Sequence, residues 1–147
     1  MEKSNMMKIT FLSLSENEGF ARSVISCFLL KLNPSVAELG DVKTAVSEAV
    51  TNCIVHGYPN STGEIEMKAE IIGDEIHINI SDKGVGIDNV EIALTPFYTT
   101  KPEEERSGMG FTIMKSFMDD VKVTSSKDSG TNICMKKRIG SENNIKC

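Results

Sequence analysis

No apolar run in this sequence approaches the ~20 residues that a membrane-crossing helix needs, and the N-terminus opens on polar residues rather than on the hydrophobic region of a secretory signal. A cytoplasmic protein with no membrane partner is expected. Positive charge is also scarce. The formal net charge is −5, and the only basic cluster, Lys136, Lys137 and Arg138, lies near the C-terminus. A polyanion such as DNA is therefore repelled overall, and no direct nucleic-acid contact is expected. Four cysteines, Cys27, Cys53, Cys134 and Cys147, are scattered without C-x-x-C spacing or a nearby histidine pair. That argues against a zinc site and reads as reduced cytosolic thiols, mostly structural. Internal repeats are absent, and so is the P-loop pattern G-x-x-x-x-G-K-[ST].

What is present fits one domain. A chain of 147 residues is long enough to bury a core without staples or metal. We assign 1–138 to the domain and expect a disordered tail over 139–147, which carries no strong pattern. Residues 7–14 are rich in β-formers and suit an edge strand able to pair with another chain. Ser15 stands as a cap before Glu16 and Glu18, and Phe20, Val24, Cys27 and Phe28 recur at helical spacing to about Leu32. Ser35 can cap a short turn, after which Val42, Val46, Ala49, Val50 and Cys53 mark a second helix over about 40–56. Strands over 64–72 and 75–81 form a hairpin at Gly73-Asp74, because Ile76, Ile78 and Ile80 alternate with polar residues. A long loop over 83–108 precedes a third helix over 109–118 and two closing strands over 121–125 and 131–137. The order predicts a two-layer α/β sandwich, with helices on one face of a mostly antiparallel, mixed sheet.

Four blocks carry chemistry. Glu48, Asn52 and His56 are four apart, so they line one helical face beside the buried stripe. That pattern suits a cavity wall, although a solvated face would give the same triple. Asp82 ends a strand and is followed by Gly84 and Gly86, which permit close approach to bare backbone; a two-glycine turn is also common without a ligand. Arg106, Ser107, Gly108, Met109 and Gly110 lead into a helix whose first amides can hold phosphate. Gly130 and Thr131 open the last strand.

Together, in this order and spacing, the blocks resemble the Bergerat-fold ATPase superfamily of gyrases, heat-shock chaperones, mismatch-repair ATPases and histidine kinases. Within it, S-E-A-V-T-N with H-G, F-Y-T-T-K-P, and E-R-S-G-M-G-F-T-I-M are similar to the serine-kinase anti-sigma factors of endospore-forming bacteria, over residues 8–137. The resemblance implies ATP and Mg²⁺ as ligands, Asn52 as the Mg²⁺ ligand, Glu48 as general base, and Asp82 on the adenine amino group with Thr131 supporting it. His56, Gly84 and Gly86 would complete the nucleotide pocket. Thr99, Thr100, Lys101, Arg106, Ser107, Gly108, Met109 and Gly110 would form a lid around the phosphates. It further implies a homodimer that binds sigma factor F and phosphorylates a serine of an anti-anti-sigma factor, with Arg22 at a partner-contacting position. Two alternatives stand beside the kinase: a nucleotide-gated binding module without catalysis, and a catalytic domain cut from a larger sensor histidine kinase.

Overall fold

A computed structural model describes residues 4–87 and 110–140. The elements run β1 (Ser4–Leu12), α1 (Glu16–Leu29), α2 (Val36–Asn52), β2 (Glu64–Ile72), β3 (Glu75–Asp82), α3 (Gly110–Phe117), β4 (Asp120–Ser125) and β5 (Thr131–Arg138), in the order the sequence predicts. The five strands make one sheet, β1-β2-β3-β5-β4, in which every pairing is antiparallel. No parallel pair exists among the described residues, so the expected mixed sheet is antiparallel throughout.

Alternation decides which face is buried. Ile65, Met67, Ala69 and Ile71 of β2, Ile76, Ile78 and Ile80 of β3, and Ile133 and Met135 of β5 all turn to one side, where they join the helices in a single core. The helix α2 packs centrally, between α1 and α3. Its stripe of Val42, Ala45, Val46, Ala49, Val50 and Cys53 is buried, as its spacing predicts.

Four local expectations are corrected. First, α2 does not begin near Gly40. Ser35 Oγ accepts from Glu38 N at 3.0 Å and Glu38 Oε1 accepts from Ser35 N at 2.9 Å, a reciprocal cap strong enough to start one continuous helix there. Second, Ser15 makes no side-chain cap at α1, because its own backbone is already helical. Third, the buried side of α1 is Ala21, Ile25 and Leu29; Phe20 and Cys27 are exposed, while Val24 and Phe28 pack partway. Fourth, the domain continues past Arg138. Ile139 is buried in the core, and Gly140 N donates to the buried Glu38 Oε2 at 3.0 Å. Gly140, placed in the tail, thus ties the start of α2 to the end of β5, while Ile139 N donates to Asp74 O in the β2–β3 turn at 2.8 Å. The strand β1 lies at the sheet edge, as expected.

Candidate functional site

The C-terminal end of α2 does not close as an ordinary helix. It widens into a π-helical turn over Cys53–Gly57, sealed by Tyr58 N donating to Cys53 O at 3.2 Å. Such turns insert an extra residue into the helical repeat and recur at functional sites. Glu48 and Asn52 keep the α-helical line that their spacing predicts, but His56 sits within the wider turn and departs from it. All three are half-buried.

Asn52 Nδ2 is buried and has no hydrogen-bond partner. A buried amide atom left unpaired costs free energy that an incoming ligand group can recover. Among the described residues no three His, Cys, Asp or Glu side chains gather to hold a metal. Mg²⁺ does not need such a cage, because it is commonly held by one or two protein oxygens plus substrate phosphates. The side-chain oxygen of Asn52 is a donor of the kind Mg²⁺ takes, and the unpaired Nδ2 beside it can donate to an anionic oxygen.

Across from this turn lies the end of β3. Asp82 is buried and stands opposite Thr131 of β5 in the antiparallel register, so topology joins two residues far apart in sequence. Its Oδ1 accepts from Gly84 N at 2.8 Å. The buried Cys53 thiol also donates to the Asp82 side chain, and burial, reinforced by that carboxylate, pushes the thiol well above its ordinary titration range. The scattered cysteines predict mostly structural thiols; Cys53 is part of this corner as well. The two glycines have different reasons to be there. A Cβ on Gly84 would fall 1.8 Å from Gly57 O, whereas Gly86 takes φ of +76°, the left-handed region that side chains disfavour.

Thr131 is buried, and its Oγ1 lies 2.9 Å from Ser125 Oγ. Ser125 also donates to Gly130 O at 2.8 Å and accepts from Ile87 N at 2.7 Å. It therefore ties the segment after Gly86 to the β4–β5 hairpin. Ser125 and Tyr58, whose hydroxyl contacts the same corner, are the site residues that motif reading missed. Nothing in the local sequence marks Ser125 except its place in the strand alternation.

Thr99, Thr100, Lys101, Arg106, Ser107, Gly108 and Met109 lie outside the described residues. Gly110 is buried at the first described turn of α3. Arg22 is not at this corner: it is exposed on α1, with its Nε 3.5 Å from Glu18 Oε2, and Glu18 Oε1 accepts from Ser47 Oγ of α2 at 2.9 Å.

A helix end carrying a carboxylate and an unpaired amide, facing a strand-end acid with glycine turns, defines a class that comparison supplies. Residues 12–137 match the histidine kinase-like ATPase domain family. The RsbU and RsbW domains of a Mycobacterium tuberculosis protein share the fold at a TM-score of 0.65 and 17% identity, covering 92% of this chain and 32% of that one. A blue-light activated histidine kinase of Erythrobacter litoralis superposes at 0.56 and 15% identity, over 85% of this chain and 62% of its histidine kinase domain structure. The likeness is closer at the level of sequence. An anti-sigma F factor of Thermoanaerobacter sp. (strain X514) is 53% identical over 142 residues, 97% of this chain and 99% of the relative. One from Clostridium perfringens (strain 13 / Type A) is 54% identical over 136 residues, 92% and 97% of the two chains. The chain belongs to the anti-sigma F factor family, within the histidine kinase-like ATPase domains.

Proposed function

We propose that this protein sequesters sigma factor F and, as an ATP-dependent protein-serine kinase, phosphorylates an anti-anti-sigma factor that competes for it. The single observation that best supports the reading is the pairing of Asp82 and Thr131 in register opposite the end of α2, where Glu48 and Asn52 keep their one-turn spacing. A buried carboxylate acceptor suits the exocyclic amine of adenine. Guanine presents a carbonyl at that position and would meet it with repulsion.

In this reading Asp82 and Thr131 orient the base, and Gly84 and Gly86 let it approach the backbone. Asn52 would hold Mg²⁺, which supplies charge neutralisation on the phosphates when bound. Glu48 takes the proton from the attacking serine hydroxyl as the oxygen bonds to the terminal phosphorus and the bond to ADP breaks. His56 and Gly110 line the pocket, while Thr99, Thr100, Lys101, Arg106, Ser107, Gly108 and Met109 are proposed to surround the phosphates, Arg106 contacting the terminal one. The partner assignment follows the name carried by the relatives, anti-sigma F factor. Arg22 is proposed to touch a partner, and the chain to act as a homodimer in the cytoplasm.

The test is phosphate transfer from labelled ATP, with Mg²⁺, to a purified anti-anti-sigma protein. Wild type should label a partner serine. Glu48→Gln should still bind ATP but transfer at least ~10²-fold more slowly, the scale of a lost general base. Unchanged turnover in Glu48→Gln would remove the base assignment. Tight ATP binding by wild type without any transfer would favour a nucleotide-gated binding module.

A further inference from the structure

Three consecutive amides follow Asp82, and each is held by a different group. Lys83 N donates to Tyr58 Oη at 2.8 Å, Gly84 N to Asp82 Oδ1 at 2.8 Å, and Val85 N to Gly57 O at 2.9 Å. Two of the three acceptors, Gly57 O and Tyr58 Oη, come from adjacent residues at the end of the π-helical turn. The Tyr58 hydroxyl in turn donates to Glu64 O at 2.7 Å, at the start of β2. Its ring lies over Gly63, where a Cβ would fall 2.2 Å from ring carbon Cε1. One side chain thus joins the end of α2, the start of β2 and the residue after Asp82.

We infer that Tyr58 is a positioning residue for nucleotide recognition, its hydroxyl setting the Asp82 corner against the helix end that carries Asn52. The inference rests on reading Asp82 as the adenine acceptor. Losing the hydroxyl would leave Lys83 N to water, because Lys83 is exposed. The fold then keeps its core while the corner gains freedom one residue from the carboxylate. Burial raises the Tyr58 hydroxyl above its ordinary 10.0, so it stays protonated and can donate and accept together near neutral pH.

Tyr58→Phe retains the ring on Gly63 and deletes both hydrogen bonds. Ile76→Val, at the far end of β3 and buried in the core, serves as a control for general loss of stability. Titration calorimetry with ATP and with GTP, in Mg²⁺, alongside thermal melts, reads the effect. Tyr58→Phe should weaken ATP binding about fivefold, the scale of one or two modest hydrogen bonds, and narrow the preference for ATP over GTP. Ile76→Val should leave both at wild-type values while lowering the melting temperature. Wild-type affinity and preference in Tyr58→Phe, or the same loss in Ile76→Val, would overturn the inference. If wild type itself did not prefer ATP, the Asp82 reading would fail first and this inference with it.

Discussion

Asp82 is a carboxylate at a buried strand end, and a buried charge persists only where donors reach it. Gly84 N and the Cys53 thiol are two such donors, which aim the side chain before any ligand arrives. On the proposed reading, replacing it by Asn puts an amide where the adenine amine meets a carboxylate acceptor. Asp82→Asn should weaken ATP binding by roughly 10- to 100-fold, the 1.5–3 kcal/mol of a charged hydrogen bond, as read by calorimetry. The thiol makes a separate prediction. Cys53 titrates well above its ordinary 9.0 in the folded chain, so the folded state holds its proton longer than the unfolded state does. Its contribution is fully present below about pH 9 and declines as pH rises above that value. Cys53→Ala should show a shallower alkaline loss of stability than wild type in melts above pH 9; an identical slope would exclude the thiol as a cause. The helical placement of Cys53 was legible from its apolar spacing. Its contact with Asp82 was not, since the two residues belong to different elements.

Elements were legible where one pattern dominates. Ile76, Ile78 and Ile80 alternate so regularly that β3 admits a single register, and Gly73 takes the positive φ its turn requires. The α1 helix carried apolar residues on two stripes, and only packing against α2 selects Ala21, Ile25 and Leu29 over Phe20 and Cys27. The cap of α2 is a signal split between two residues: Ser35 offers the cap, and its partner Glu38 completes the box and starts the helix. Ser35→Ala should cost about 1 kcal/mol, lowering the melting temperature by roughly 2–4 °C in a domain of this size. A larger loss is expected from Glu38→Ala, which also releases Gly140. The π-helical turn after α2 has no counterpart in the apolar spacing, which is why His56 was placed on the Glu48–Asn52 line.

For the whole molecule, strand order is what assembles the corner. Inserting β5 between β3 and β4 sets Thr131 beside Asp82 and Ser125 beside Thr131. Among the described residues no helix is long and apolar enough to cross a membrane. A nucleotide that binds only this assembled state stabilises it by mass action. ATP at ~100 times its dissociation constant should add about 2.7 kcal/mol, or roughly 5–10 °C in a thermal melt, and equimolar GTP much less. Equal shifts from the two would remove base selection from Asp82. The sequence by itself determined the succession of elements and the helical line of Glu48 and Asn52, because both follow from spacing along one chain segment. Tertiary structure alone decided the face of α1, the inclusion of Ile139 and Gly140, and the contacts of Tyr58 and Ser125. Each of these depends on a hydrogen bond or a packing contact between segments, and no local pattern encodes such a contact.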